Sequence, residues 1–516
     1  MPPLCHRLLV FLAALLLGGI STVGQVGTMP VSYQVNVDST GRNIPNDAAN
    51  EPSLCVDPTN PLRMAVGWRQ FDHVTNDFRK AGYGYSTNGG LTWQFGGTLQ
   101  SNVFRSDPVL SSDANGQFYY LSLQANYATL DTSPNFHSDI WKSPDGGATW
   151  QQVGSAFGGD KPWMTVDKSA SPGRGHIYQC WSDAANNYGT RLFSRSSDGG
   201  SSWLNPITLP GTPYYPYWST VDTGPYGELV LFGWGDGGFV FLRSRNATNG
   251  AVTPIFDLKT SVNMGGSIDA DDGPNPGGLL GQPWIAADRS TGPTRGNLYA
   301  LCSVVRVSGN PTDVMFSRST NGGANWSNPI ALNNDSAKQS AWHWFGALGV
   351  ASNGRIDACW YDTRSVADNH LSELYYTSSS DGGLTWTTNR PISLPFDHSL
   401  GYPTQEKIGD YTQLISLDDA ACIAYSATFN GEEDIWFVSV DQPLVTTIAS
   451  TNRGLSLSWK GATGRPFAVQ MKTNLLSSWS SAVELGTVIA TNGVATFTDN
   501  SLSRTVDRFY REVRVP

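Results

Sequence analysis

Seven stretches of the chain set polar, charged or aromatic residues directly ahead of an apolar run, and these residues have the chemistry to offer. They are Glu51, Asp107, Asp160 with Lys161, Tyr215, Gln282, His343, and Asp410 with Tyr411. A second set follows the next apolar run: Trp68-Arg69-Gln70-Phe71-Asp72, Trp181-Ser182-Asp183, Trp234-Gly235-Asp236 and Trp360-Tyr361-Asp362-Thr363-Arg364. Carboxylates can exchange protons or hold hydroxyls, and the planar arginine fork bonds a carboxylate bidentately. A polar group at the start of a buried strand costs stability unless paired, so these residues bond one another or meet a ligand. The plainer role, Asp capping loop N–H groups within its own module, accounts for most of them. Trp163, Trp284 and Trp344 suit packing between modules better than stacking on sugar.

What must position them is a repeat. Glu51-Pro52, Asp107-Pro108, Lys161-Pro162, Tyr215-Pro216 and Gln282-Pro283 each lead into a strand, a turn and a second apolar strand. Weaker copies begin at His343-Trp344 and Gly409-Asp410. A period holding four short strands predicts radial propeller blades. If each blade starts at its innermost strand, the strand starts share one rim and surround one funnel. Residues 31–37 alternate as a strand should and lack a partner in the first module, so they are expected to complete the seventh blade and leave no open edge.

A second repeat lies between the third and fourth strands. Ser86-Thr87-Asn88-Gly89-Gly90-Leu91-Thr92-Trp93 returns with Trp150, Trp203, Trp326 and Trp386 as its last residue. The fourth module keeps a degraded copy near Ser244 and Asn246, and the seventh has none. Asp or Asn before Gly-Gly supplies the positive φ of a tight turn, and the Trp is expected to pack that turn onto its own sheet. This pattern is the Asp-box, and the chain resembles the sialidase-type, neuraminidase-repeat β-propellers.

That resemblance implies an all-β propeller acting on glycans as a sialidase-like glycoside hydrolase. Such enzymes gather three arginines around the substrate carboxylate, with a Tyr nucleophile helped by Glu and an Asp acid/base. The family's first arginine motif, Arg-Ile-Pro, is replaced here by Asn50-Glu51-Pro52. The substitute cluster expected is Arg69, Arg105 and Arg364, with Asp72 as acid/base and Tyr411 as nucleophile. Glu51, Asp107, Lys161, Gln282, His343, Asp362 and Asp410 are the expected substrate-binding residues. The family is six-bladed, so seven modules depart from it, and six blades stay open if the last module is a cap. The rival readings are a non-catalytic propeller that binds glycan or protein, and a structural assembly factor.

The remaining segments bound the setting. Arg7, the apolar run 8–17 and the small residues 18–24 read as an export signal over 1–24, so the chain is expected to be secreted, periplasmic or at the cell surface. The propeller is assigned to 25–440. Residues 441–516 change grammar and are expected to form a small fibronectin-like β-sandwich. No apolar run is long enough to span a bilayer. The net charge of -10 excludes a phosphate-binding surface and hence nucleic acid. Cys55, Cys180, Cys302, Cys359 and Cys422 read as small buried hydrophobes. No metal or cofactor is expected, although Asp269-Ala270-Asp271-Asp272-Gly273 has the oxygen density of a calcium loop without its spacing.

Overall fold

The computed structural model describes residues 29–127, 136–214, 216–268, 273–306, 311–335, 340–365 and 370–442, and much of 446–514. The export signal, Tyr215 and residues 269–272 of the calcium-loop expectation lie outside the described residues.

The protein is a seven-bladed β-propeller. Its innermost strands are Ala48–Val56, Arg105–Ser112, Trp163–Val166, Tyr217–Thr223, Trp284–Ala287, His343–Val350 and Gln413–Ser416. Each touches the next, and the last touches the first. All nine residues of Ala48–Val56 are buried, because a neighbouring blade covers each face. Exposure rises at the outer strands, as in Gln94–Thr98. Cys55, Cys180, Cys302, Cys359 and Cys422 are buried and form no disulfide among the described residues, as expected of small apolar side chains.

The seventh blade is completed from the N-terminus, as the unpartnered alternation of 31–37 requires. Ser32–Gln34 pairs antiparallel with Asp434–Asp441, Tyr33 lying opposite Phe437. Asn36 fastens the seam, donating from Nδ2 to Asp434 at 2.5 Å and accepting the Ile435 N–H at 2.9 Å. Beside it, burial pushes the Asp47 carboxyl up to about 7 and that of Asp434 to about 6. Unfolded aspartates titrate near ~3.9. Between about pH 4 and pH 7 the native state therefore holds protons that the unfolded chain has released, and the stability from this seam falls as pH rises. Thermal melts at pH 5 and pH 8 should show this decline, and Asp47→Asn should narrow the gap. An unchanged gap in that variant would assign the slope elsewhere.

The repeated turn is built from its own side chains. Ser86, Ser143, Ser196, Ser319 and Ser379 each accept the N–H of the second glycine at 2.8–3.0 Å. The Asn or Asp accepts a backbone N–H four residues on, at 2.9–3.1 Å. One expectation is corrected here: the tryptophan packs largely on the preceding blade. Trp93 lies 5.3 Å from Phe437, Trp326 5.3 Å from Phe241 and Trp386 5.0 Å from Phe316. The second glycine faces the same way, so each turn staples two blades.

After the propeller, two three-stranded antiparallel sheets follow. Leu457, Trp459, Phe467, Val469, Ala490 and Ala495 share one apolar cluster. Arg465 joins this segment to the seventh blade through a 2.8 Å ion pair with Asp419. No helix among the described residues is long and apolar enough to cross a membrane.

Candidate functional site

The innermost strands begin with a kink that aims side chains at the axis. Bulges shift register between Asn50 and Ser53, Ser106 and Val109, Tyr217 and Thr220, and Trp344 and Ala347. At equivalent places Glu51, Asp107, Lys161, Trp218 and Phe345 take φ of 45–54°, and blade seven uses Gly409 at 101°. Left-handed backbone costs ~1–2 kcal/mol per non-glycine residue. Such strain persists where surrounding structure over-determines it, and it gathers at functional sites.

Six predicted site residues meet there. Lys161 Nζ bonds the Asp410 carboxylate and lies 4.0 Å from Asp107. Lys407 lies 2.5 Å from Asp410 and 3.6 Å from Glu51, and Arg69 lies 3.3 Å from Glu51. The Tyr411 hydroxyl donates to the Pro108 carbonyl at 3.0 Å. Burial raises the Asp410 carboxyl, but Lys161 and Lys407 outweigh it and hold it well below the usual carboxylate range. Burial lifts Glu51 to about 7, against the pull of Arg69. Burial, then Glu51 and Asp107, push the Tyr411 phenol well above its ordinary value.

The other predicted residues lie apart. Gln282 donates to the Trp218 carbonyl at 3.1 Å. His343 contacts Asp335 at 2.9 Å, with Asp362 at 3.7 Å, and Arg364 bonds the same Asp362 at 2.7 Å. Arg105 pairs with Asp139 at 2.7 Å and lies over the Trp141 ring. Asp72 is exposed and held by Lys80 at 2.5 Å. The expected convergence of Arg69, Arg105 and Arg364 is thus not formed: each arginine is held by a carboxylate near its own strand. Asp72 joins none of them.

Sequence reasoning missed Lys407 and Asn275, which lie on two loops that close part of this rim. Asn275 Nδ2 donates to Leu279 and Gly409 carbonyls at 2.7 and 2.9 Å, and the Leu279 N–H donates to Asp410 at 2.9 Å. Tyr402 adds a 2.9 Å bond to the Pro274 carbonyl. At the strand starts of blades three and four a crescent of less deeply buried residues remains. Lys161, Asp160, Tyr217 and Trp218 are half-buried there, and Asp183 and Asp236 are exposed. The backbone links them: the Ser182 N–H donates to the Asp160 carbonyl at 2.8 Å, and the Trp218 N–H to Ser182 Oγ at 3.1 Å. Burial, then Asp236 and Asp183, raise the Tyr217 phenol. Among the described residues no group of three or more His, Cys, Asp or Glu is placed to hold a metal ion.

No protein-family model matches the chain. It is similar to a xyloglucanase from a Paenibacillus species, 24% identical over 306 residues, which are 53% of this chain and 26% of that protein. The match thus spans about a quarter of the relative's length. Similar solved structures include an ulvan lyase, a polysaccharide lyase (13% identity, TM-score 0.47, 77% of this chain and 94% of that one). Another is the NanB sialidase from Streptococcus pneumoniae (11% identity, TM-score 0.40, 80% and 71%). A third is a protein of unknown function from Dyadobacter fermentans (12% identity, TM-score 0.44, 80% and 98%).

Proposed function

We propose that this chain is an exported glycan-acting propeller that holds carbohydrate on the crescent formed by Lys161, Asp160, Trp218, Tyr217, Asp183 and Asp236. The observation that carries this reading is Trp218, a half-buried residue kept at φ 50° and packed edge to face on Tyr217 at 5.5 Å. A flat aromatic face suits the C–H face of a sugar ring, and the carboxylates accept its hydroxyls. The partial likeness to a xyloglucanase supports the same ligand class. The export signal read over residues 1–24 supports action outside the cytoplasm.

Recognition is favoured over sialidase-type hydrolysis because the Tyr411 hydroxyl is engaged with Pro108 and the three arginines have separate partners. Calorimetric titration with xyloglucan and sialylated oligosaccharides tests the binding. Trp218→Ala should weaken the bound glycan about tenfold or more, the usual cost of removing an aromatic anchor. Equal affinity in that variant, or no binding of any glycan, would refute the proposal. A fluorogenic glycoside panel on Asp72→Asn and Tyr411→Phe tests hydrolysis separately. A parent activity lost in either variant would restore the hydrolase reading.

A further inference from the structure

The innermost strands enclose a second space at the opposite end of the axis, a cavity of about 470 Å³ that opens on the rim of the repeated turns. We propose that it is a binding site for a small organic anion, one carboxylate or sulfonate-like group on an apolar body, whose anion is received by Lys168. It is independent of the glycan crescent.

The wall is apolar and polar in about equal measure; its apolar part includes Leu54, Leu110, Val221, Ile285, Leu348 and Leu414, one from each of six blades. Trp163 and Trp284 also line it, edge to face at 5.1 Å, and Trp163 meets Tyr411 at 5.3 Å. Through Tyr411 this aromatic floor divides the cavity from the buried ion network. At ~30 Å³ per molecule the space would take roughly fifteen waters. Several of the wall's polar groups are already engaged. Gln413 accepts from Ser53 and the Leu54 N–H, Thr220 donates to the Pro283 carbonyl, and Ser112 donates to the Val56 carbonyl. A chamber whose wall is about half apolar and half polar favours an amphiphilic occupant.

Of the charged groups that line the cavity, all but one are already engaged. Arg289 is paired with Asp222 at 2.7 Å, and Asp419 with Arg465 at 2.8 Å. The Asp418 carboxylate accepts from Ser352 Oγ and the Asn353 N–H, both at 2.8 Å. Lys168 forms no ion pair among the described residues, yet its side chain lines the cavity. Burial, then Arg289, lowers its ammonium to about 8, against the pull of Asp222 and Asp113. A bound anion would pair with the charged form. On the far wall, in blade seven, Ser416 Oγ is buried with no hydrogen-bond partner among the described residues and can serve a second polar atom of the ligand.

Naphthalene-2-sulfonate, with the neutral 2-naphthalenemethanol as control, probes the site by calorimetry and by quenching of tryptophan fluorescence. The sulfonate should bind saturably near pH 7, and loss of the charge-assisted bond in Lys168→Met should weaken it about tenfold. Lys168→Arg should bind nearly as the parent does, and the alcohol should bind about tenfold more weakly than the sulfonate. Leu348→Trp, which fills the chamber, should abolish sulfonate binding while leaving glycan affinity at the crescent intact. Melting curves establish that each variant is folded. Absence of saturable sulfonate binding, equal binding by folded Lys168→Met, or binding that survives Leu348→Trp would overturn the proposal.

Discussion

Replacing Asp410 with alanine is expected to lower the unfolding free energy by about 3–5 kcal/mol, the usual cost of removing one partner from a buried ion pair. Asp410 is 1% exposed and bonds both Lys161 and Lys407, while its Oδ1 accepts the Leu279 N–H. Its loss leaves two buried ammonium groups whose nearest remaining carboxylates among the described residues are Glu51 and Asp107, at 3.6 and 4.0 Å. Urea denaturation of the parent and the variant measures the difference. Adding Lys407→Met should recover part of the loss, because it removes one uncompensated charge. A variant within about 0.5 kcal/mol of the parent would mean that water already screens this network.

The second large effect is expected at Gly323. Its φ is 91°, and a Cβ there would lie 2.0 Å from Phe241 Cε1 on the preceding blade. Gly323→Ala combines left-handed strain of ~1–2 kcal/mol with overpacking of ~1–3 kcal/mol, for a total near 3 kcal/mol. Gly97→Ala is the control: φ is 102°, with nothing within 4 Å of the added carbon. It should cost only the strain. Equal losses at the two positions would show that the blade-to-blade contact of the repeated turn adds nothing to stability.

The architecture was legible because its signals are local. The repeated turn satisfies its own backbone within eight residues, so it is written out in full at each occurrence. The closing strand was legible by default, since 31–37 alternate and no neighbouring segment takes them as a partner. Tertiary partners were less so. Glu51, Asp107, Lys161 and Asp410 were placed together correctly by blade geometry, but Lys407 lies in an irregular loop that no periodicity marks. The arginines were misjudged because an arginine takes the nearest carboxylate in space, here Glu51, Asp139 and Asp362. The box tryptophans were assigned to their own sheets because spacing along a chain does not reveal which blade lies behind the turn.

The seam between Asn36 and Asp434 joins residues 398 positions apart. During biosynthesis the first strand made must therefore wait, unpaired, for almost the whole ring to emerge before it finds its place. A contact of such long range slows folding, because its loop must close before the pairing returns any energy. Transplanting that strand to follow Asp441 would turn the slowest contact into a local hairpin.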